Sequence, residues 1–217
     1  IEQGKCDLVA FGRQSLADPE MPRKYAEGRE EDTMPCIACL QGCVANMYAG
    51  KPIRCLVNPR LGHECETVPA AVAAKRIVVI GGGVAGLAAA AISSERGHDV
   101  ILLEEAPALG GNMRLASFPP GKGPIADMVR SWVVRAQKAG VEVHLGVKAL
   151  PDDIAALQPD EVVVATGARA LLLPIEGIDC PAILRGGDVL AGKAYPGKNV
   201  LIAGGGMVGC EIADLLA

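Results

Sequence analysis

The stretch Lys75–Glu105, KRIVVIGGGVAGLAAAAISSERGHDVILLEE, decides the fold. An apolar run rich in β-branched residues, Ile77–Ile80, leads into three glycines. An Ala-rich run without proline follows, and then a second apolar run, Val100–Leu103. β-Branched runs favour strands and alanine favours helix, so the order reads strand, turn, helix, strand. The glycines recur as Gly81-x-Gly83-x-x-Gly86. In this context the first makes a tight turn, the second lets the backbone approach a pyrophosphate, and the third lets the helix pack on the strand. The positive helix N-terminus then faces the phosphates. Glu104 closes the second strand, where a carboxylate accepts hydrogen bonds from ribose hydroxyls and repels a 2′-phosphate. FAD, ADP or NAD is therefore favoured over NADP at this first loop.

Residues 77–94 carry no charge, a run long enough to raise a membrane span. Four of them are glycine (81, 82, 83 and 86), and strand, turn and helix account for the pattern better. Further along, residues 124–140 place Ile125, Met128, Val129, Trp132, Val133 and Ala136 at helical spacing. Residues 141–147, VEVHLGV, alternate as a strand, and 160–168, DEVVVATGA, predict another buried strand. Residues 198–217, KNVLIAGGGMVGCEIADLLA, repeat the opening design with Gly204-x-Gly206-x-x-Gly209. The repeat predicts a second nucleotide-binding unit. The position about twenty residues on, which separates NADH from NADPH, would fall beyond Ala217.

Upstream, residues 66–74, ETVPAAVAA, predict a linker. Before it stands CIACLQGCVANMYAGKPIRC, residues 36–55, with four cysteines spaced C-x2-C-x3-C-x11-C. In an intracellular chain four such thiols point to a metal or cluster rather than disulfides. Zinc sites are commonly built from two short Cys knuckles. Three close thiols and one distant one suit a [4Fe–4S] cube at Cys36, Cys39, Cys43 and Cys55, with zinc the alternative. The plant-type [2Fe–2S] spacing does not match. Cys6 and Cys210 are expected to be small core residues and Cys65 a spare thiol. No C-x-x-C pair occurs in the nucleotide region. Asp7–Phe11 predicts a short strand, and Asp18-Pro19 and Met21-Pro22 predict turn and helix starts. Trp132 fits a helix's apolar face, and His63, His98 and His144 show no ligand spacing.

The chain has 217 residues, half of them apolar but only 3% aromatic, so Val, Ile, Leu and Ala must fill the core. A net charge of −4 without a basic tail or Lys/Arg run argues against a nucleic-acid partner. No signal-peptide pattern is visible, and a cytoplasmic place is expected. The first residue is Ile and the last residues break off in a helical pattern, so an internal piece of a longer protein is expected.

Taken in order, these segments resemble the iron–sulfur flavoenzymes of the old yellow enzyme superfamily, such as 2,4-dienoyl-CoA reductase, 2-enoate reductase and trimethylamine dehydrogenase. The resemblance covers essentially the whole chain. DLVAFGRQSLADPEMPRKYAEGR is similar to the end of that family's (β/α)8 barrel, and CIACLQGC…GKPIRCLVNPRLGHE to its cluster loop. VIGGGVAGLAAA, LGGN and PPGK are similar to its FAD/ADP region. The resemblance implies an α/β chain divided into a barrel end (1–35), a cluster segment (36–66), an FAD- or ADP-binding Rossmann-like domain (67–195) and the start of an NAD(P)-binding domain (196–217). Gly12 and Arg13 would match the FMN-phosphate site, in keeping with phosphate binding at the last loops of barrels. Cys36, Cys39, Cys43 and Cys55 would match the cluster ligands. Ala85, Glu104, Asn112, Lys122 and Val147 would match FAD contacts, with Asn112 standing where relatives often carry Gln. Thr166 and Gly167 would match the second place where backbone meets the flavin.

The implied activity is a relay from NAD(P)H through FAD, the [4Fe–4S] cluster and FMN to an activated C=C bond of an enoate, dienoyl-CoA or enone. Substrate-binding and proton-donating residues would lie in the rest of the barrel. An amine dehydrogenase with ADP in the first site stays open, as does an electron-input subunit like the small subunit of glutamate synthase. A non-enzymatic alternative is a zinc-stapled nucleotide-binding regulator. A small-molecule substrate and no membrane are expected; homo-oligomerisation is left open.

Overall fold

The computed structural model describes residues 3–171 and 174–217. The first two residues of the expected barrel end and residues 172–173 of the expected flavin domain lie outside them. Four parallel strands form one sheet in the order β3-β2-β1-β4: β1 (Arg76–Ile80), β2 (Asp99–Glu104), β3 (Glu142–Leu145) and β4 (Glu161–Val164). Ile77 stands beside Val100 on one side of β1 and beside Glu161 on the other. The crossover from β1 to β2 is α4 (Val84–Glu95), and that from β2 to β3 runs through α5 (Asn112–Ala116) and α6 (Gly123–Lys138).

Strand alternation sorts the side chains into two layers. Ile77, Val79, Val100 and Leu102 point to one face, where Leu87, Ala90 and Ala91 of α4 and Met128, Val129, Trp132 and Ala136 of α6 cover them. Val78, Ile101 and Leu103 point to the other, under Val147, Ala149, Ile154 and Leu157. Ile154 lies in α7 (Pro151–Ala156) and Leu157 is its C-cap. Val78, Val79, Leu87 and Leu102 are fully buried, each contributing about 1.5–3 kcal/mol of transfer free energy. Helices α4 and α6 are tied at their ends by Ser94 Oγ donating to the Ala139 carbonyl (2.6 Å) and by a two-pronged Arg135–Glu95 pair. Arg135 also lies over the Trp132 ring, 5.1 Å from its centre.

The strand expected at 160–168 forms, but as the edge of the sheet. Val162 is 43% exposed and Val164 71%, because no element among the described residues pairs with or covers this side. Asp7–Phe11 was expected to be a strand and belongs to no sheet; Leu8, Val9 and Phe11 are exposed. The same holds for Asn199–Ala203 before the second glycine loop, where Leu201 is 95% exposed. A strand is a pairing state, and among the described residues neither segment has a ladder to join. Cys6 and Cys210, expected in the core, are exposed.

The N-terminal part is short helices on loops: α1 (Arg13–Ala17), α2 (Met21–Ala26), a 3-10 turn at Glu30–Asp32 and α3 (Val44–Tyr48). It packs on the layer of α4 and α6: Ala17 and Val57 belong to the same buried cluster as those helices. The expected linker, 66–74, is irregular and docks on the end of α4, with Ala71 N–H donating to the Arg96 carbonyl (2.8 Å). In the last part, α8 (Gly186–Leu190) packs against α9 (Met207–Leu216). Among the described residues no helix is long and apolar enough to cross a membrane.

Candidate functional site

At the first loop Gly81 takes φ +107°, a left-handed conformation that glycine alone adopts without strain. A Cβ there would also lie 2.4 Å from the Ala165 carbonyl oxygen. Gly83 is the N-cap of α4 and no side chain caps that helix. The N–H groups of its first turn, Ala85 included, are thus left for a ligand. Gly86 lies against the turn: a Cβ would sit 1.8 Å from the Gly81 carbonyl oxygen.

Glu104 is buried at the end of β2. Its Oε2 accepts from Gly82 N–H (2.5 Å) and its Oε1 from Ala106 N–H (2.7 Å). The carboxylate thereby stitches the strand end to the glycine loop, with lone pairs remaining for a ribose. Gly82 carries this contact, since a Cβ would meet Leu109 Cδ2 at 2.5 Å and Glu104 Oε2 at 3.0 Å. Spacing alone singled out Gly81, Gly83 and Gly86 and passed over Gly82, whose need for hydrogen comes from Leu109.

The LGGN segment folds back on the same loop. Gly110 N–H donates to the Gly82 carbonyl (2.8 Å), and Gly110 bridges Gly83 in parallel. Asn112 opens α5 and its Nδ2 donates to the Ala168 carbonyl (2.9 Å), just past Thr166 and Gly167. Gly167 is left-handed, φ +72°. Val147 N–H donates to the Glu104 carbonyl (2.9 Å). The fold thus joins the glycine loop, Glu104, Asn112, Val147 and Thr166–Gly167 through contacts at the carboxyl ends of β1, β2 and β4, the place where open parallel sheets bind ligands. Lys122 points elsewhere: it caps α6 and pairs with Glu211 of α9 (3.1 Å).

The second loop repeats the first in its backbone. Gly204 takes φ +112°, Gly206 caps α9 without a side-chain cap, and a Cβ on Gly209 would lie 1.9 Å from the Gly204 carbonyl oxygen. These cradles suit dinucleotides at both loops.

The four cysteines of residues 36–55 line one recess with Arg13, Leu16, Gly42 and Arg54. All four are half-buried free thiols. Ala38 and Leu40, on either side of Cys39, take φ +53° and +59°. Left-handed non-glycine residues cost energy and cluster at ligand-binding loops. Cys55 returns to the loop through Gly42, whose carbonyl accepts from Arg54 N–H (2.8 Å). A Cβ on Gly42 would lie 2.5 Å from the Arg54 carbonyl oxygen. Among the described residues no three Cys, His, Asp or Glu side chains form a group that could hold a single ion. Four thiols on one recess are a donor set that a [4Fe–4S] cube or a tetrahedral zinc could use.

This loop is anchored at both ends. Gln14 Oε1 accepts from Cys36 N–H (2.9 Å) and Gln14 Nε2 donates to the Met34 carbonyl (3.0 Å). Asp18, buried, accepts from Met34 N–H (2.9 Å) and pairs with Lys24 (2.6 Å). Asn58 Nδ2 donates to the Leu16 carbonyl (2.9 Å). Ser131 Oγ of α6 donates to the Thr33 carbonyl (2.7 Å), and Lys138 meets Asp32 (2.6 Å) and Glu31 (3.0 Å). Hydrogen bonding to Lys138 holds both carboxyls below their usual range. Gly12 caps the five-residue α1. His63 and His144 are exposed and His98 is half-buried.

A family model described as pyridine nucleotide-disulphide oxidoreductase matches residues 75–217. The NADH oxidase of Thermoanaerobacter brockii is 42% identical over 225 residues, covering 100% of this chain and 34% of its own length. The cinnamate reductase of Clostridium sporogenes is 38% identical over 214 residues, covering 98% of this chain and 32% of its own. Among solved structures, 2-naphthoyl-CoA reductase in complex with 2-naphthoyl-CoA superposes with a TM-score of 0.94 at 33% identity, over 99% of this chain and 33% of the other. That likeness runs through the cysteine segment as well as the nucleotide domain. The chain spans about a third of the length of the curated relatives it matches.

Proposed function

The chain belongs to the pyridine nucleotide-disulphide oxidoreductase family, and from that premise we propose that it is the electron-input part of an NAD(P)H-dependent flavin oxidoreductase that reduces an activated C=C bond. The observation that carries the reading is the anchoring of a four-cysteine recess on α6, the helix that also covers the sheet of the first nucleotide cradle. When bound, the flavins, the nicotinamide and a [4Fe–4S] cluster supply hydride and single-electron transfer.

The chain's own residues bind and orient. Gly81, Gly83, Ala85 and Gly86 give a pyrophosphate close backbone and free N–H groups, and Glu104 accepts from a ribose. Asn112, Val147, Thr166 and Gly167 stand around the same opening, which suits FAD. Gly204, Gly206 and Gly209 form the corresponding cradle for NAD(P)H. Cys36, Cys39, Cys43 and Cys55 would hold the cluster. Gly12 and Arg13 are assigned to an FMN phosphate on the resemblance alone. The division into barrel end (1–35), cluster segment (36–66), FAD domain (67–195) and NAD(P) domain (196–217) belongs to the same proposal, as does a cytoplasmic setting. The names of the cinnamate and 2-naphthoyl-CoA reductases support an unsaturated acid or acyl-CoA as the substrate class.

The test is the iron, sulfide and zinc content, with a visible spectrum, of the full-length protein purified without oxygen. About four irons and four sulfides per chain, with a brown absorbance that bleaches on adding NADH or NADPH, is the expected result. One zinc per chain without flavin colour overturns it.

A further inference from the structure

We propose that Gln14 is the positioning residue of the cluster's first ligand, an inference that rests on the reading of the four cysteines as cluster ligands. The Gln14 amide spans one backbone step: its oxygen accepts from Cys36 N–H at 2.9 Å and its nitrogen donates to the Met34 carbonyl at 3.0 Å. An amide that matches a donor and an acceptor at once fixes orientation as well as distance. The intervening backbone is held again by Asp18, which takes Met34 N–H. The Met34 N–H and carbonyl and the Cys36 N–H thus all end on a side chain of α1 or of its C-cap.

Among the described residues, Gln14 is the side chain that hydrogen-bonds the Cys36 backbone. Thr33, three residues earlier, is held by Ser131, and the Cys43 carbonyl accepts from Met47 N–H (2.9 Å) within α3. Ala38 and Leu40 already carry left-handed strain. If Cys36 is released, that strain is free to relax and the thiol leaves the recess. Groups that orient a ligand from behind typically change metal affinity by 10–100-fold when removed. The spacing C-x2-C-x3-C does not contain this residue, because Gln14 lies twenty-two positions ahead of Cys36.

The experiment uses the full-length protein and three variants, Gln14→Leu, Gln14→Glu and Asp127→Asn, the last a surface control. Iron and sulfide content of the wild type is measured first; a wild type without a cluster overturns the cluster reading and this proposal together. Iron release to a strong chelator and the electron paramagnetic resonance line shape of the reduced cluster are then compared. In Gln14→Leu we expect iron release faster by about ten-fold or more and a changed line shape, with flavin content at the wild-type level. Gln14→Glu keeps the acceptor for Cys36 N–H and loses the donor to Met34, so it should fall between. Should Gln14→Leu fail to fold, Gln14→Glu carries the comparison. A wild-type line shape and release rate in the folded variants, even with a lowered melting temperature, makes Gln14 a scaffold residue only and overturns the proposal.

Discussion

A Cβ on Gly86 would lie 1.8 Å from the carbonyl oxygen of Gly81, and the same relation, at 1.9 Å, joins Gly209 to Gly204. No carbon can occupy that space, so the helix N-terminus in each unit approaches its turn only because a hydrogen stands there. Gly86→Ala must push α4 off the loop, a cost of about 1–3 kcal/mol, and should lower flavin content and melting temperature together. Gly209→Ala should leave the flavin in place and abolish its reduction by NAD(P)H. Flavin content and stopped-flow reduction separate the two, and a flavin-free Gly209→Ala would contradict the division of labour.

Glu104 should matter through its charge and its two backbone bonds. Glu104→Ala leaves the Gly82 and Ala106 N–H groups without an acceptor, each worth about 1–3 kcal/mol when buried. Flavin affinity is expected to fall roughly ten-fold or more, read by titration of the flavin-stripped protein. Unchanged affinity would remove the ribose role.

Cys39→Ser should lose the cluster and keep a folded flavin domain, since Cys39 has no part in the sheet's core. Gly42→Ala should do the same by another route, by driving Arg54 and the neighbouring Cys55 away. Iron content at the wild-type level in either variant would break the ligand assignment.

Acid should loosen the cluster segment from α6. The Asp32 carboxyl is held low mainly by its hydrogen bond to Lys138. A depressed carboxyl contributes stability that is present above its unfolded value and is lost as pH falls through its folded value. Hydrogen exchange of residues 30–36 should therefore accelerate as pH drops below the ordinary aspartate value of 3.8, after correction for intrinsic rates. In Lys138→Met the segment should exchange faster at neutral pH and show less of this dependence. The same acid response in both proteins would assign the contact elsewhere.

The parts legible in the sequence were those with local causes. The two glycine loops, α6 and the strands of the sheet's middle follow from spacing and period, and Trp132 sits where its period put it. The sheet's limits were not legible. Asp7–Phe11 and Asn199–Ala203 have strand-like composition, but a strand exists only where a neighbour offers hydrogen bonds. The same reasoning explains the site residues that spacing passed over. Gly82, Gly42 and Gln14 owe their roles to Leu109, Arg54 and Cys36, which the fold brings to them from elsewhere in the chain.

The open side of β4 has a practical consequence at the bench. Val162 and Val164 lie exposed along a backbone edge that no strand pairs with among the described residues, and such an edge is a template for another chain. Produced by itself, this length of polypeptide would present a sticky seam in every molecule. Turbidity and loss on the column would then report that edge.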